Sequence, residues 1–174
     1  MRVFIAIDLD EEDYFKMIQK QIPNIRASYP KTFHLTLKFL GETDKQEGII
    51  KALKQIKFKH FKLNTTKIGV FPSESYIRVV WLGLNENTSL IKLQEDIEKA
   101  LENFNFKKDF DFHPHITLAR IKFIKPSEKE NFVKELKKIK ITEKEFEVKE
   151  FKLIKSELTK EGPVYEDISV FSAK

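Results

Sequence analysis

Two segments of this chain carry one pattern, 81 residues apart: His34-Leu35-Thr36-Leu37 and His115-Ile116-Thr117-Leu118. The same offset lays 43–58 over 124–139 and 63–71 over 144–152. A period that long excludes a solenoid of short repeats and points to an internal duplication, two related lobes that each contribute an equivalent strand. With four histidines and nine threonines in 174 residues, chance gives about 0.2 His-x-Thr triplets for ordinary composition. Two triplets at matching places therefore carry information. On a strand, residues i and i+2 share a face, so each triplet presents an imidazole beside a hydroxyl while Leu35, Leu37, Ile116 and Leu118 anchor it.

Periodicity supplies the elements around these motifs. Strands are expected over 3–9, 33–40, 62–71, 76–84, 112–123, 145–155 and 164–171, where apolar and branched residues run or alternate. Helices are expected over 11–22, from Thr43 or Asp44 to about 58, from Asn87 or Thr88 to about 104, and after Pro126, capped in box style by Ser127 and Glu130. Pro23 and Pro30 bracket a connection. In 33–40, alternation puts Phe33, Leu35, Leu37 and Phe39 on one face and His34, Thr36 and Lys38 on the other. The expected fold is α+β: two pseudo-symmetric lobes, each an antiparallel sheet with helices on its outer face, enclosing a central cleft. No Gly/Ser/Pro-rich linker separates the halves, so residues 1–174 are read as one two-lobed domain.

Composition removes several function classes. A chain of this length buries about 70% of its unfolded surface, and its 41% hydrophobic and 34% charged residues fit neither a disordered tail nor a membrane protein. The opening apolar stretch, 3–7, stops at Asp8, too short for a signal-peptide core or a membrane span; a cytoplasmic protein with no membrane partner is expected. The absence of cysteine excludes disulfides, Fe–S clusters and Cys-ligated zinc. A net charge of +5 favours polyanions. The lysines at 51, 54, 57 and in 134–140 nevertheless read as solvated faces of amphipathic helices.

If the lobes face each other, two imidazole/hydroxyl pairs converge. Near neutral pH one imidazole can accept a proton while the other donates one, as displacement at phosphorus requires on opposite sides of the reacting atom. The Thr36 and Thr117 hydroxyls can donate to nonbridging phosphoryl oxygens, and a guanidinium can hold the developing charge. Arg120, one of only four arginines, is the candidate. Strict alternation turns it toward Ile116 and Leu118, so its use requires a bulge or strand end near Ala119. His113 and His115 form a His-x-His pair, but zinc catalysis needs a third protein ligand that no further motif supplies. His113 is therefore read as structural or cleft-edge, His60 as exposed, and no metal or cofactor is expected.

The twin motifs resemble those of the 2H phosphoesterase superfamily, in particular its bacterial and archaeal RNA 2′,3′-cyclic phosphodiesterase branch, once called 2′-5′ RNA ligase. The resemblance extends over Phe4-Ile5-Ala6-Ile7-Asp8, the block 34–42, Phe71-Pro72 before Val79-Val80-Trp81, Pro114-His115-Ile116-Thr117-Leu118-Ala119-Arg120, and the tail Ser156-x-Leu158 with Gly162-Pro163-x-Tyr165. It implies that His34 is the proton donor to the leaving 3′-oxygen and His115 the proton acceptor from the attacking water, leaving a 2′-phosphomonoester. It implies that Thr36 and Thr117 bind the phosphate and that Arg120 helps, without metal. Tyr165 is taken as a further substrate contact, able to stack on a base. The implied partners are RNA with 2′,3′-cyclic phosphate ends or cyclic nucleotides, handled by a monomer. The chain departs from the family at Lys31-Thr32-Phe33 and at Glu157, which bears on the choice of RNA or nucleotide. A silent RNA-end-binding module and a 2′-5′ ligase running the reverse reaction use the same residues.

Overall fold

The computed structural model describes residues 1–108 and 111–174. The elements run β1 (Arg2–Asp8), α1 (Glu12–Gln19), β2 (Arg26–Ser28), β3 (His34–Glu42), α2 (Gln46–Leu53), β4 (Phe61–Ser73), β5 (Tyr76–Leu84), α3 (Thr88–Ala100), β6 (His115–Phe123), α4 (Lys129–Lys137), β7 (Glu145–Val148), β8 (Glu150–Thr159) and β9 (Gly162–Ser172). The strands form an antiparallel sheet in the order β7-β4-β5-β6-β3-β1-β8-β9, with β2 added beside β6. Apolar positions of all the α-helices, among them Phe15, Ile49, Leu93 and Phe132, join one core cluster with Leu35, Leu37, Ile116 and Leu118. A small second cluster of Phe4, Ala6 and Ile154, capped by Tyr165, lies apart from it. It belongs to the other face of the sheet, because Phe4 and Ala6 alternate along β1 with the core residues Val3, Ile5 and Ile7.

The duplication is legible in the register. Along β1 and β3 the partners are Asp8↔His34, Ile7↔Leu35, Ala6↔Thr36, Ile5↔Lys38 and Phe4↔Phe39. Along β5 and β6 they are Gly83↔His115, Leu82↔Ile116, Trp81↔Thr117, Val80↔Ala119 and Val79↔Arg120. The two ladders are the same, including a slip that leaves Leu37 in one and Leu118 in the other as the extra residue of a β-bulge. One copy runs β1-α1-β3-α2-β4 and the other β5-α3-β6-α4-β8. Their third strands are exchanged: β4 pairs with β5, and β8 pairs with β1.

The bulges overturn the expected alternation. After Leu37 the side-chain phase shifts by one, so Lys38 is 2% exposed and Phe39 63% exposed, the reverse of what strict alternation assigns. The same shift after Leu118 buries Ala119 and exposes Arg120. A buried ammonium is tolerated only when paired and hydrogen-bonded. Lys38 Nζ meets this condition by donating to Glu98 Oε1 on α3 and to the Lys107 carbonyl, each at 2.7 Å.

Several boundaries also differ from expectation. The 145–155 strand is two, broken at Lys149, because β7 joins β4 while β8 crosses to β1. The Pro23–Pro30 connection contains β2, a short strand with no alternation to announce it. The Ser127/Glu130 capping box does not form: Ser127 lies in a 3₁₀ turn, Pro126–Glu128, and α4 begins after it without a side-chain cap. Asn87 does cap α3, its Oδ1 accepting from the Ser89 and Leu90 amides at 2.9 and 3.1 Å.

Lys38→Ala removes the cation from Glu98 and the donor from the Lys107 carbonyl. It is expected to lower the unfolding free energy by about 3–5 kcal/mol, read as a lower urea midpoint at constant m.

Candidate active site

β3 and β6 meet antiparallel where Leu35 pairs with Ile116. Both residues point into the core, so their strand neighbours point away from it, onto the open face. The antiparallel register sets His34 opposite Thr117 and Thr36 opposite His115 about a local two-fold axis. All four side chains are half-buried. Beyond this rung β6 takes β2 as its neighbour instead of β3, with Ser28 opposite Arg120.

The Leu118 bulge brings Arg120 onto the same face as His115 and Thr117. Its guanidinium acts electrostatically on His34, on His115 and on Tyr165 of β9. Groups from three strands thus share one cation. Tyr165 stands edge-on to His34, with ring centroids 5.3 Å apart. The structure therefore gathers His34, Thr36, His115, Thr117, Arg120 and Tyr165 on one open face.

The two imidazoles have different surroundings. Both titrate below the ordinary histidine range, first because burial disfavours the charged form. For His34 the Asp8 carboxylate acts upward and Arg120 downward. For His115 a hydrogen bond to the His113 backbone acts upward, while the charges of His113 and Arg120 act downward. His115 Nδ1 lies 2.6 Å from the His113 carbonyl oxygen. A carbonyl only accepts, so Nδ1 carries the hydrogen, and in the neutral ring Nε2 is left as the acceptor. Burial also pushes the Tyr165 phenol up, against Arg120 and Arg2, which keeps it a neutral donor.

Aromatic walls flank each imidazole. Phe4 lies 5.1 Å from the His34 ring and 5.5 Å from that of Tyr165. Phe71 is edge-on to His115 at 4.9 Å and packs on Trp81 at 5.0 Å. Gly69 makes the Trp81 position possible, since a Cβ there would collide with the indole. Beside His34, Lys152 Nζ bridges Asp8 Oδ2 and Asp167 Oδ2, each at 2.7 Å. Burial alone would depress that ammonium, but its hydrogen bonds to Asp167 and Asp8 raise it above the ordinary lysine range.

Sequence reading missed the His113 carbonyl, Asp8, Lys152 and the open-face positions of Phe4 and Phe39. One signal for the last of these is present in both motifs. Core residues fall at 35, 37 and 40 and again at 116, 118 and 121, a spacing of two then three that marks a bulge. His113 is exposed, its ring Nε2 3.6 Å from Asp111. Among the described residues no group of three His, Cys, Asp or Glu side chains is placed to hold a metal ion.

A model of the LigT-like phosphoesterases matches the chain twice, over 7–81 and 82–165. The chain is similar to proteins named RNA 2′,3′-cyclic phosphodiesterase from Archaeoglobus fulgidus (34% identical, over 98% of this chain and 99% of that one) and Methanocaldococcus jannaschii (36%, 97% and 98%). A crystal structure from Thermus thermophilus superposes with a TM-score of 0.79 at 29% identity, covering 99% of this chain and 97% of that one. The structure of Escherichia coli LigT complexed with 3′-AMP shares the fold, with a TM-score of 0.75 at 23% identity over 99% and 96%.

Asp8→Asn removes a carboxylate that favours the charged His34, so His34 is expected to titrate lower still. Lys152→Met frees Asp8 of its nearest cation, so His34 is expected to titrate higher. Carbon-detected NMR of labelled imidazoles reads both shifts.

Proposed function

Since the chain belongs to the LigT-like phosphoesterase family, we propose that it hydrolyses 2′,3′-cyclic phosphodiesters of RNA ends or nucleotides to 2′-phosphomonoesters, with His34 and His115 as its proton donor and acceptor. The observation that carries this reading is the antiparallel crossing at Leu35 and Ile116. It sets two imidazole/hydroxyl pairs about one point, with Arg120 acting on both rings. A phosphate seated at that point has an imidazole on either side, a hydroxyl beside each, and one guanidinium for its charge.

The reaction divides between the two sides. Water attacks phosphorus from the His115 side and gives its proton to Nε2, which the His113 carbonyl holds ready as an acceptor. The bond from phosphorus to the 3′-oxygen breaks as protonated His34 delivers a proton to that oxygen. Thr36, Thr117 and Arg120 meet the charge that grows on the nonbridging oxygens, as donors already in place where charge develops. Tyr165 adds a neutral hydroxyl beside His34. This scheme uses no metal, and the enzyme is taken to work as a cytoplasmic monomer.

The same residues serve a 2′-5′ ligase when a 5′-hydroxyl takes the place of water as the attacking group: it gives its proton to His115, the 3′-oxygen leaves with a proton from His34, and a 2′-5′ phosphodiester results, a linkage that the same residues can cleave in reverse. A silent RNA-end binder is the remaining alternative. Phosphorus NMR of 2′,3′-cyclic AMP incubated with the protein separates them: a 2′-phosphate signal supports the enzyme, and unchanged substrate sinks it.

His34→Ala and His115→Ala are each expected to lower kcat/KM by about 10²–10⁴, with EDTA without effect. Because both imidazoles titrate below their usual range in the free protein, the bell of kcat/KM against pH is expected to lie on the acid side of 6.5. Bound phosphate favours the imidazolium form, so the bell of kcat is expected at higher pH.

A further inference from the structure

We propose that Phe39, with Phe4 behind it, is a nucleobase platform, the subsite that receives the base of the nucleoside bearing the cyclic phosphate. The inference deepens the proposed function and rests on its assignment of the sugar to the His34 side.

The starting observation is an inversion. The Leu37 bulge puts a lysine into the core and a phenylalanine into solvent, Lys38 2% and Phe39 63% exposed. An exposed ring beside a buried ammonium is an unfavourable exchange on the hydrophobic account. It persists because the bulge fixes the phase of the whole strand. The duplicated ladder defines the position that Phe39 holds: Phe4↔Phe39 in one copy corresponds to Val79↔Arg120 in the other. One copy thus reaches the cleft with a guanidinium, and the other reaches it, at the equivalent place, with an apolar ring.

Position and chemistry fit a base. Phe39 stands two pleat positions from Thr36 once the bulge is discounted, on the order of 7 Å along the strand, which is the reach of one ribose from a phosphate held by Thr36. Its ring lies 6.0 Å from that of Phe4, which is itself 5.1 Å from the His34 ring. A row of rings therefore leads from the imidazole that protonates the leaving 3′-oxygen to the exposed Phe39 face. The His115 side has no such exposed ring at the equivalent position, where Arg120 stands. Aromatic side chains stack on any base because every base has a π-face, so the platform accepts purines and pyrimidines, the purines more tightly through their larger area.

The test compares two substrates that share the reacting group, 2′,3′-cyclic AMP and the base-free 1-O-methylribose 2′,3′-cyclic phosphate. Phe39→Ala is expected to raise KM for the nucleotide about tenfold to a hundredfold. Its kcat should stay within about twofold, the pattern of lost uniform binding, and the base-free substrate should be unaffected. Phe39→Tyr is expected to retain wild-type KM, which separates stacking from any general damage. Equal loss on both substrates, or no loss on either, overturns the platform. Calorimetric binding of adenosine 2′-monophosphate against ribose 2-phosphate keeps the test independent of turnover. Should the wild type bind the nucleotide without hydrolysing its cyclic form, the proposed function fails while the platform is still judged by the Phe39→Ala loss. Equal binding of the two phosphates by the wild type overturns the platform alone.

Discussion

The site depends on two β-bulges. Without them, β3 and β6 would be ordinary alternating strands, with His34, Thr36 and Lys38 on one face and Arg120 in the core beside Ile116 and Leu118. An extra residue at equivalent places in the two strands, Leu37 and Leu118, shifts the phase after the His-x-Thr pair is already placed. The motif side chains and the position beyond the bulge then share the open face, because a bulge re-aims the side chains after it. The hydrophobic core enforces the shift: Leu35, Leu37 and Leu40, and likewise Ile116, Leu118 and Ile121, are all buried. Restoring regular pairing would expel Leu40 and Ile121 from the core. Lys38 shows the consequence on the other side, since the same phase drives its ammonium inward, where Glu98 and the Lys107 carbonyl receive it.

Electrostatics at the site derive from that geometry. Burial holds both imidazoles toward neutrality, and the Arg120 guanidinium on the open face adds to that effect while it acts against the burial of Tyr165. A neutral His115 suits a proton acceptor. The proposed donor role of His34 asks for the charged form, which the Asp8 carboxylate one strand away favours against the larger effect of burial. Lys152 bridges Asp8 to Asp167, which limits how strongly Asp8 can act. The two histidines thus receive different auxiliaries at equivalent positions, a carboxylate beside His34 and a backbone carbonyl beneath His115.

Much of this is legible in the sequence because it is written as repetition and period. The twin His-x-Thr triplets, their offset and the alternating leucines are features of one chain read against itself, and they point to an α+β fold with equivalent strands. The features that escape are written in departures from period. An aromatic at an alternate position normally belongs in the core, which is where period alone puts Phe39, and only the paired two-then-three spacing of core residues betrays the slip. Residue type alone proposes the helix caps: Asn87 does cap α3, whereas Ser127 is drawn into a 3₁₀ turn after Pro126. The split of 145–155 at Lys149 has no local cause, since it arises when β8 leaves β7 to pair with β1. Contacts such as Lys152 with Asp8, 144 residues apart, are likewise invisible to any local reading.

A site with two-fold symmetry in its reacting groups poses a problem that its chemistry cannot solve alone. If the two His/Thr pairs were equivalent, a cyclic phosphate could bind in either sense, and each imidazole would serve as donor in half of the encounters. A defined product requires that the symmetry be broken where the groups differ. The duplicated ladders locate those differences: Arg120 against Phe39, Trp81 against Ala6, and Gly83 against Asp8. The third replaces a hydrogen with a carboxylate and gives the His34 side a negative charge, while Phe4 against Val79 and Phe39 against Arg120 line that side with apolar rings where the other carries an indole and a guanidinium. On the proposed platform, the uncharged base of a nucleoside goes to the side with the exposed ring. Water, which needs no stacking, is left to the other. On this reading, the orientation of the substrate decides which imidazole donates, and side chains that never touch phosphorus set the direction of bond cleavage.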